Sequence, residues 1–536
     1  MKKVLYGLLI SLIWINTGIN TGIAGQTIIQ PQLPTATNAQ AIAQSTAGAA
    51  LTPANIPSIE ATQGIFAPLG LVGDGAANDR AAIQAALNAA GAVGGGTVIL
   101  PVGTFNVSLT ASNGGTGCLL IPDNTTLRGA GAGTVLKNYD NTYSAGVILN
   151  TGFALAINRN IHVADLAIDL GGIGHNGVIY DGVVGGTIDN VVVINPAGYG
   201  IWLVRGGDGI QGSGVLGTLI PKDIMVTRCR VTGIVDMGYE ADGAVECVFS
   251  DNYASGNGGS TGSNGAFNAW NGATDIVFSH NIAEGTGANN TLTGFIAGAM
   301  ADTSLPTQTQ RIKFIGNSAY NIYHGGAALG EPGSVPLDIY YENNSLYGYT
   351  GNSTVGIQVA YTTRAVFKNN YVSNFDVPIL FNNVPDGTAW NSAKEATIDG
   401  NTFLGGQASF LYGFSYGSFS GNNFTGQSNS AVTFYGATNS RINNNSFFDL
   451  GTTGYPAGLI LRSYSIIQES VGNIVTGNKT ANISGTYTFY TVLLVDAADY
   501  NVVTGNSAYG ARSGANGCRN VGIGINNVIA NNIDAP

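Results

Sequence analysis

The chain has 536 residues, 79 of them Gly, and only 10% are Asp, Glu, Lys or Arg, whereas ordinary soluble domains carry about 25% charged residues and ~7% Gly. Helical proteins coat their exposed faces with charge, so this composition excludes a mainly helical fold, and 44% hydrophobic residues supply too much core material for a disordered chain. A formal net charge of -11 leaves no basic stripe to neutralise phosphates, which excludes nucleic acid as a partner.

At the N-terminus, Lys2 and Lys3 precede the apolar run VLYGLLISLIWI, and Gly22-Ile23-Ala24 offers a small-residue cleavage site. Residues 1–24 read as a secretory signal peptide whose apolar part is too short to span a bilayer. The expectation is a secreted or periplasmic protein with no membrane insertion. Residues 25–60, rich in Ala, Thr, Gln and Pro without a sustained period, read as a linker or poorly ordered leader, and residues 61–536 as one domain.

In GDGAANDRAAIQAALNAAGAVGGGTVILPVGTFNVS (73–108), Asn78 or Asp79 is placed to cap a helix that runs through Ala90 with Ile83 and Leu87 on one face, and TVILP reads as the first coil strand. This segment resembles the pectate-lyase-superfamily start of many right-handed β-helix carbohydrate enzymes, phage tailspikes and polyuronate epimerases. The matching residues are Gly73-Asp74-Gly75, Asp79, Ala82-Ile83-Gln84-Ala85-Ala86, Gly94-Gly95-Gly96-Thr97-Val98, Pro101 and Gly103-Thr104-Phe105. Asn78 stands where the family often has a second acid. The resemblance implies the fold and carries no catalytic residue with it.

From about residue 160 one phrase recurs, as in DNVVVIN, ECVFSDN, DIVFSHN, RIKFIGN, DIYYENN, RAVFKNN and NIVTGN. Its last residue is Asn at 195, 252, 281, 317, 344, 370, 401, 423, 445, 478 and 506, and with the copy DIMVTRC, which ends at Cys229, between the first two the spacing is 22 to 36 residues. Apolar and polar residues alternate within each copy, the mark of a half-buried strand, and a second short strand such as GIWLV, GYEAD or GFIAG precedes most copies. Short strands, no intervening helices and Asn at one fixed turn predict an all-β fold, a parallel β-helix of about 14 coils, each rising ~4.8 Å, with the helix as its N-terminal cap, and the resemblance implies that it is right-handed. Cys118, Cys229, Cys247 and Cys518 form no metal or disulfide pattern and read as buried thiols.

In the second strand type Ile201, Tyr239, Phe267 and Ile357 point inward, so Trp202, Glu240, Asn268 and Gln358 form an outward, solvent-facing column, with Asp242 and Trp270 on the same side. The longest turns, 205–222, 254–264, 283–310 and 330–337, flank these coils. Glu240 and Asp242, at i and i+2 with Cβ atoms ~6.5–7 Å apart, suit a carboxylate pair for glycoside hydrolysis, with Asp236 and Asp208 in reserve. Trp202, Trp270, Asn268 and Gln358 are the expected substrate contacts.

A uronate lyase or epimerase instead needs a base beside a charged sugar, and its candidates Tyr239, Lys222, Arg228, His280, Arg311, Lys313 and His324 do not cluster in sequence. The polygalacturonase elements are missing or in the wrong order, and no P-loop, dinucleotide or zinc motif occurs. The leading reading is therefore a polysaccharide-cleaving glycoside hydrolase, with a lyase or epimerase next and a non-catalytic glycan-binding adhesin as the reading from another class. The partner is a polysaccharide, the protein a monomer or homotrimer. No metal site or cofactor is expected, Ca2+ entering only under the lyase reading.

Overall fold

The computed structural model describes residues 64–535 except 109–117, 139–145, 154, 174–175, 207–216, 260–263, 288–289, 300–307, 332, 350–352, 383–392, 452–456, 464–468, 482–489, 510–516 and 523. The expected signal peptide and leader, Asp208 and much of the long turns fall outside the described residues.

The chain forms a right-handed parallel β-helix. All strand pairings run parallel, and one wall is a sheet of fifteen strands among the described residues, from Leu119–Ile121 to Cys518–Asn520. At ~4.8 Å per coil that sheet extends about 65 Å. The rod begins earlier than the sequence suggests, because Ile65–Phe66 already pairs with Gly96–Ile99, the strand expected to open the first coil.

The cap forms where expected. A helix spans Arg80–Ala92 with Ile83 and Leu87 fully buried. Asp79 precedes it, but its carboxylate accepts the N–H groups of Val72 (2.7 Å) and Gly73 (3.2 Å), while the Asn78 side chain accepts from Arg80 N–H. Gln84 closes the sheet end: its amide accepts from Leu120 N–H (2.8 Å) and donates to Leu120 C=O (2.9 Å), pairing backbone groups that would otherwise be left at an open edge.

Inside, like residues stack on like. Phe249, Phe278, Phe314, Tyr341 and Phe367 form one file with centroid separations of 4.7, 4.9, 4.6 and 5.0 Å. Beside it the repeat Asn residues build a ladder in which each rung's N–H and side-chain amide donate to Oδ1 of the next, as Asn281 does to Asn317 (2.8 and 3.1 Å). The residue before each rung has a left-handed backbone, for instance Asp251 (φ 57), His280 (φ 55), Asn343 (φ 57) and Gly400 (φ 67). Only Gly, Asn, Asp and occasionally His take that conformation cheaply, which explains why the phrases end in GN, NN, DN or HN.

Two expected rungs differ. In GNN the glycine takes the left-handed turn (Gly421, φ 64), so Asn422 rather than Asn423 is the rung. Asn195 is itself left-handed (φ 52) and lies beside Gly233 of the following coil, so it is no rung; the rung position in that following coil is Cys229, whose N–H donates to Asn252. A second ladder, Asn473 to Asn501 to Asn527, runs through another turn. The cysteines are free thiols, three of them buried, and burial pushes the Cys229 and Cys247 thiols up to about 12.

Candidate active site

The fifteen-stranded sheet fixes the register of the outward column. Trp202 lies beside Glu240, Glu240 beside Asn268, and Asp242 beside Trp270. The alternation of Met237–Asp242 puts Tyr239 and Ala241 into the core, fully buried, and leaves Glu240 and Asp242 on the outer face. Gln358 is in the same column but four coils from Glu240, ~19 Å away, through Asn268, Ile296 and Ala327.

The expected solvated face differs in one respect that matters chemically: it is buried. Glu240 is 4%, Asp242 8% and Asn268 0% exposed, and Asp236 is half-buried. Trp202 packs with Leu149 and Ile179 in an outer apolar cluster and stacks on Tyr199 (4.2 Å, 9°), so one ring face is already occupied. The Asn268 amide donates to the carbonyls of Gly265 (3.0 Å) and Tyr239 (3.2 Å). Trp270 lies over Gly298, where a Cβ would collide with its ring.

Burial acts on the acids. Desolvation, reinforced by Asp242 and Asp236, holds the Glu240 carboxyl well above the carboxylate range. Desolvation also lifts Asp242, but no further than about 7, because Asn271, Trp202 and the Arg205 guanidinium favour its charged form and oppose the rise. At neutral pH one acid keeps its proton and its neighbour is poised to accept one. Glu240 Oε2, Asp242 Oδ1, Asn268 Oδ1 and Trp270 Nε1 are buried and have no hydrogen-bond partner, a concentration of unmet polar atoms that marks a ligand or water site.

Sequence reasoning missed Arg205, Asn271 and Asp181. Asp181 is buried two coils from Asp242 in the same column, with its carboxylate against Gly206. Of the lyase candidates, Tyr239 is core and donates to Tyr253 C=O (3.0 Å). Lys222, Arg228 and Arg311 are paired with Glu246, Asp189 and Asp275 on other walls. Lys313 lies over Tyr340, and His280 occupies a left-handed turn. His324 is on the site's sheet, beside Thr293 and Val355, where burial pushes its pKa down to about 4. Among the described residues no group of three or more His, Cys, Asp or Glu is placed to hold a metal.

No family model matches the chain. Over 72 residues, 13% of the chain, it is 54% identical to mannuronan C5-epimerase AlgE4 of Azotobacter vinelandii, covering 13% of that protein. A stretch of the same length is 47% identical to alginate lyase 7 of the same organism and covers 8% of it. Among solved structures, the tailspike protein of Escherichia coli bacteriophage HK620, a mutant in complex with a hexasaccharide, superposes with a TM-score of 0.52 at 14% identity, covering 83% of this chain and 76% of that one. That likeness is one of fold.

Proposed function

We propose that the protein acts on an acidic polysaccharide, abstracting the C5 proton of a uronate unit held over Glu240 and Asp242. The observation that carries this reading is the buried acid pair with divided protonation, Glu240 held neutral beside an Asp242 that titrates near 7. Removing a proton α to a carboxylate places a second negative charge on that group, so it needs a donor rather than another anion beside it. A neutral Glu240 O–H, with Arg205 close by, supplies such a donor in a site without bulk water. Asp242, as carboxylate, accepts the C5 proton while the electron pair moves into the C6 carboxyl group. A proton from water on the opposite face then inverts C5, or the electron pair returns to form the C4–C5 double bond as the C4–O bond breaks, the leaving oxygen taking up the proton held by Asp242. The short stretch shared with a C5-epimerase and an alginate lyase favours a uronate as substrate.

Glycoside hydrolysis is the second reading, favoured by the i, i+2 spacing of the two carboxyls. Glu240→Gln separates the two. Gln donates a hydrogen bond but has no proton to release, so uronate turnover should fall only partly, whereas hydrolysis should stop. Turnover is followed by deuterium incorporation at C5 in heavy water, ultraviolet absorbance of unsaturated ends, and reducing ends. Asp242→Asn should lower either activity by about 10²-fold or more. Full activity in that variant would remove Asp242 from the chemistry.

A further inference from the structure

The same outer face carries a second constellation far from the acid pair. From Glu240 the column runs through Asn268, Ile296, Ala327, Gln358 and Leu380 to Phe410 and Thr433, seven coils on, or ~34 Å. From Asn268 to Phe410 this column holds no charged residue. Beyond it the face changes character. A depression of about 130 Å³ is lined by Phe410, Ser430, Thr433, Tyr435, Ile460 and Arg462, among others. Tyr412 and Tyr435 stack in register (4.6 Å, 7°), Arg462 follows Tyr435 on the next coil, and its guanidinium lies 6.0 Å from the Tyr435 ring centroid. An ion pair with Asp496 (2.7 Å) orients that guanidinium. Arg519 ends the adjacent column, donating to the Tyr490 hydroxyl (3.0 Å).

The apolar surface of Phe410 and Ile460 and the edge of the Tyr435 ring, beside the Ser430 and Thr433 hydroxyls, suit the apolar face and hydroxyl rim of a pyranose, and arginine suits a carboxylate. In a chain with only 20 basic residues, this end of the face carries Arg462, paired with Asp496, and Arg519, where the other end carries Glu240 and Asp242.

We propose that this Tyr435/Arg462 depression is a secondary binding site for acidic oligosaccharide, which holds a remote part of the same polymer whose reacting unit sits at Glu240 and Asp242. The ligand class rests on the polysaccharide reading above; the site itself does not depend on the acid pair. A polymer spans the separation and a disaccharide does not, so the two sites act together only on long chains.

The test is calorimetric titration of Asp242→Asn protein, which binds without turnover, with uronate disaccharide and with polyuronate. The expected result is two disaccharides per chain, and one in Arg462→Gln or Tyr435→Leu proteins of unchanged circular dichroism. Polymer affinity should fall about tenfold in the same variants. In the active protein these substitutions should raise KM for polymer and leave disaccharide turnover unaltered. A single disaccharide site unaffected by either substitution overturns the proposal. Equal binding of a neutral oligosaccharide, retained in Arg462→Gln, overturns its assignment to acidic sugar. Two sites in a protein inactive on every uronate would uphold this inference and refute the proposed reaction.

Discussion

A carboxyl that binds its proton more tightly in the folded than in the unfolded chain weakens the fold as pH rises. Asp242 keeps its proton up to about 7 when folded, against an ordinary value of 3.8. The native state therefore holds the extra proton between those values, and the associated stability, complete below 3.8, is lost as pH rises through 7. Glu240, raised by the same burial, continues the decline upward. Thermal unfolding should occur at a higher temperature at pH 5 than at pH 8, and Asp242→Asn should flatten that dependence by on the order of 2 kcal/mol. Activity that requires ionised Asp242 and neutral Glu240 has the opposite requirement at low pH, so kcat should rise through an apparent pKa near 7 and fall again once Glu240 ionises. A pH profile flat from 5 to 8 would contradict the assignment of acid and base. The pairing of these two residues was legible because strand alternation alone sets it. Their burial was not, since it depends on what packs over the outer face, and Arg205 and Asn271 were missed because each lies just past a strand end, where alternation no longer says which way a side chain points.

The ladder makes an equally specific statement one level up. Asn344 donates through N–H and Nδ2 to Asn370 Oδ1 (3.0 and 2.9 Å) and through Nδ2 to Phe314 C=O (2.9 Å), and accepts from Asn317. Asn344→Ala takes the acceptor from the buried Asn317 N–H and Nδ2 and a donor from the Phe314 C=O, and should cost about 2 kcal/mol or more in urea unfolding. Asn423→Ala, one residue past the Asn422 rung, should change stability by no more than about 0.5 kcal/mol. The repeat phrase showed the coils because its alternation and its terminal Asn are both local. It misplaced the rung in GNN because two Asn residues compete there, and the left-handed turn, which falls on Gly421, decides between them.

At the scale of the molecule, apolar files and amide ladders hold the coils together, and charge contributes little. The ion pairs of the described residues, Arg128–Asp165 to Arg462–Asp496, all have an arginine or lysine side chain at least 41% exposed, where a pair is worth about 0–1 kcal/mol and is screened by salt. The melting temperature should accordingly be nearly the same at low salt and in half-molar sodium chloride; a large fall would show that these pairs matter more than their exposure implies. The ladder has a further implication, for how such a chain can change length. Each rung recognises only the rungs before and after it, and all rungs offer the same donors and acceptor. Ser318 and Ser345, the residues that follow Asn317 and Asn344, already occupy equivalent places in adjacent coils. Excising residues 318–344 would join Asn317 to Ser345 and present Asn317 directly to Asn370, with every hydrogen-bond type preserved. A deletion that took Asn344 with only half of its coil would leave the ladder out of register, so the ladder makes the whole coil the unit by which the rod can shorten.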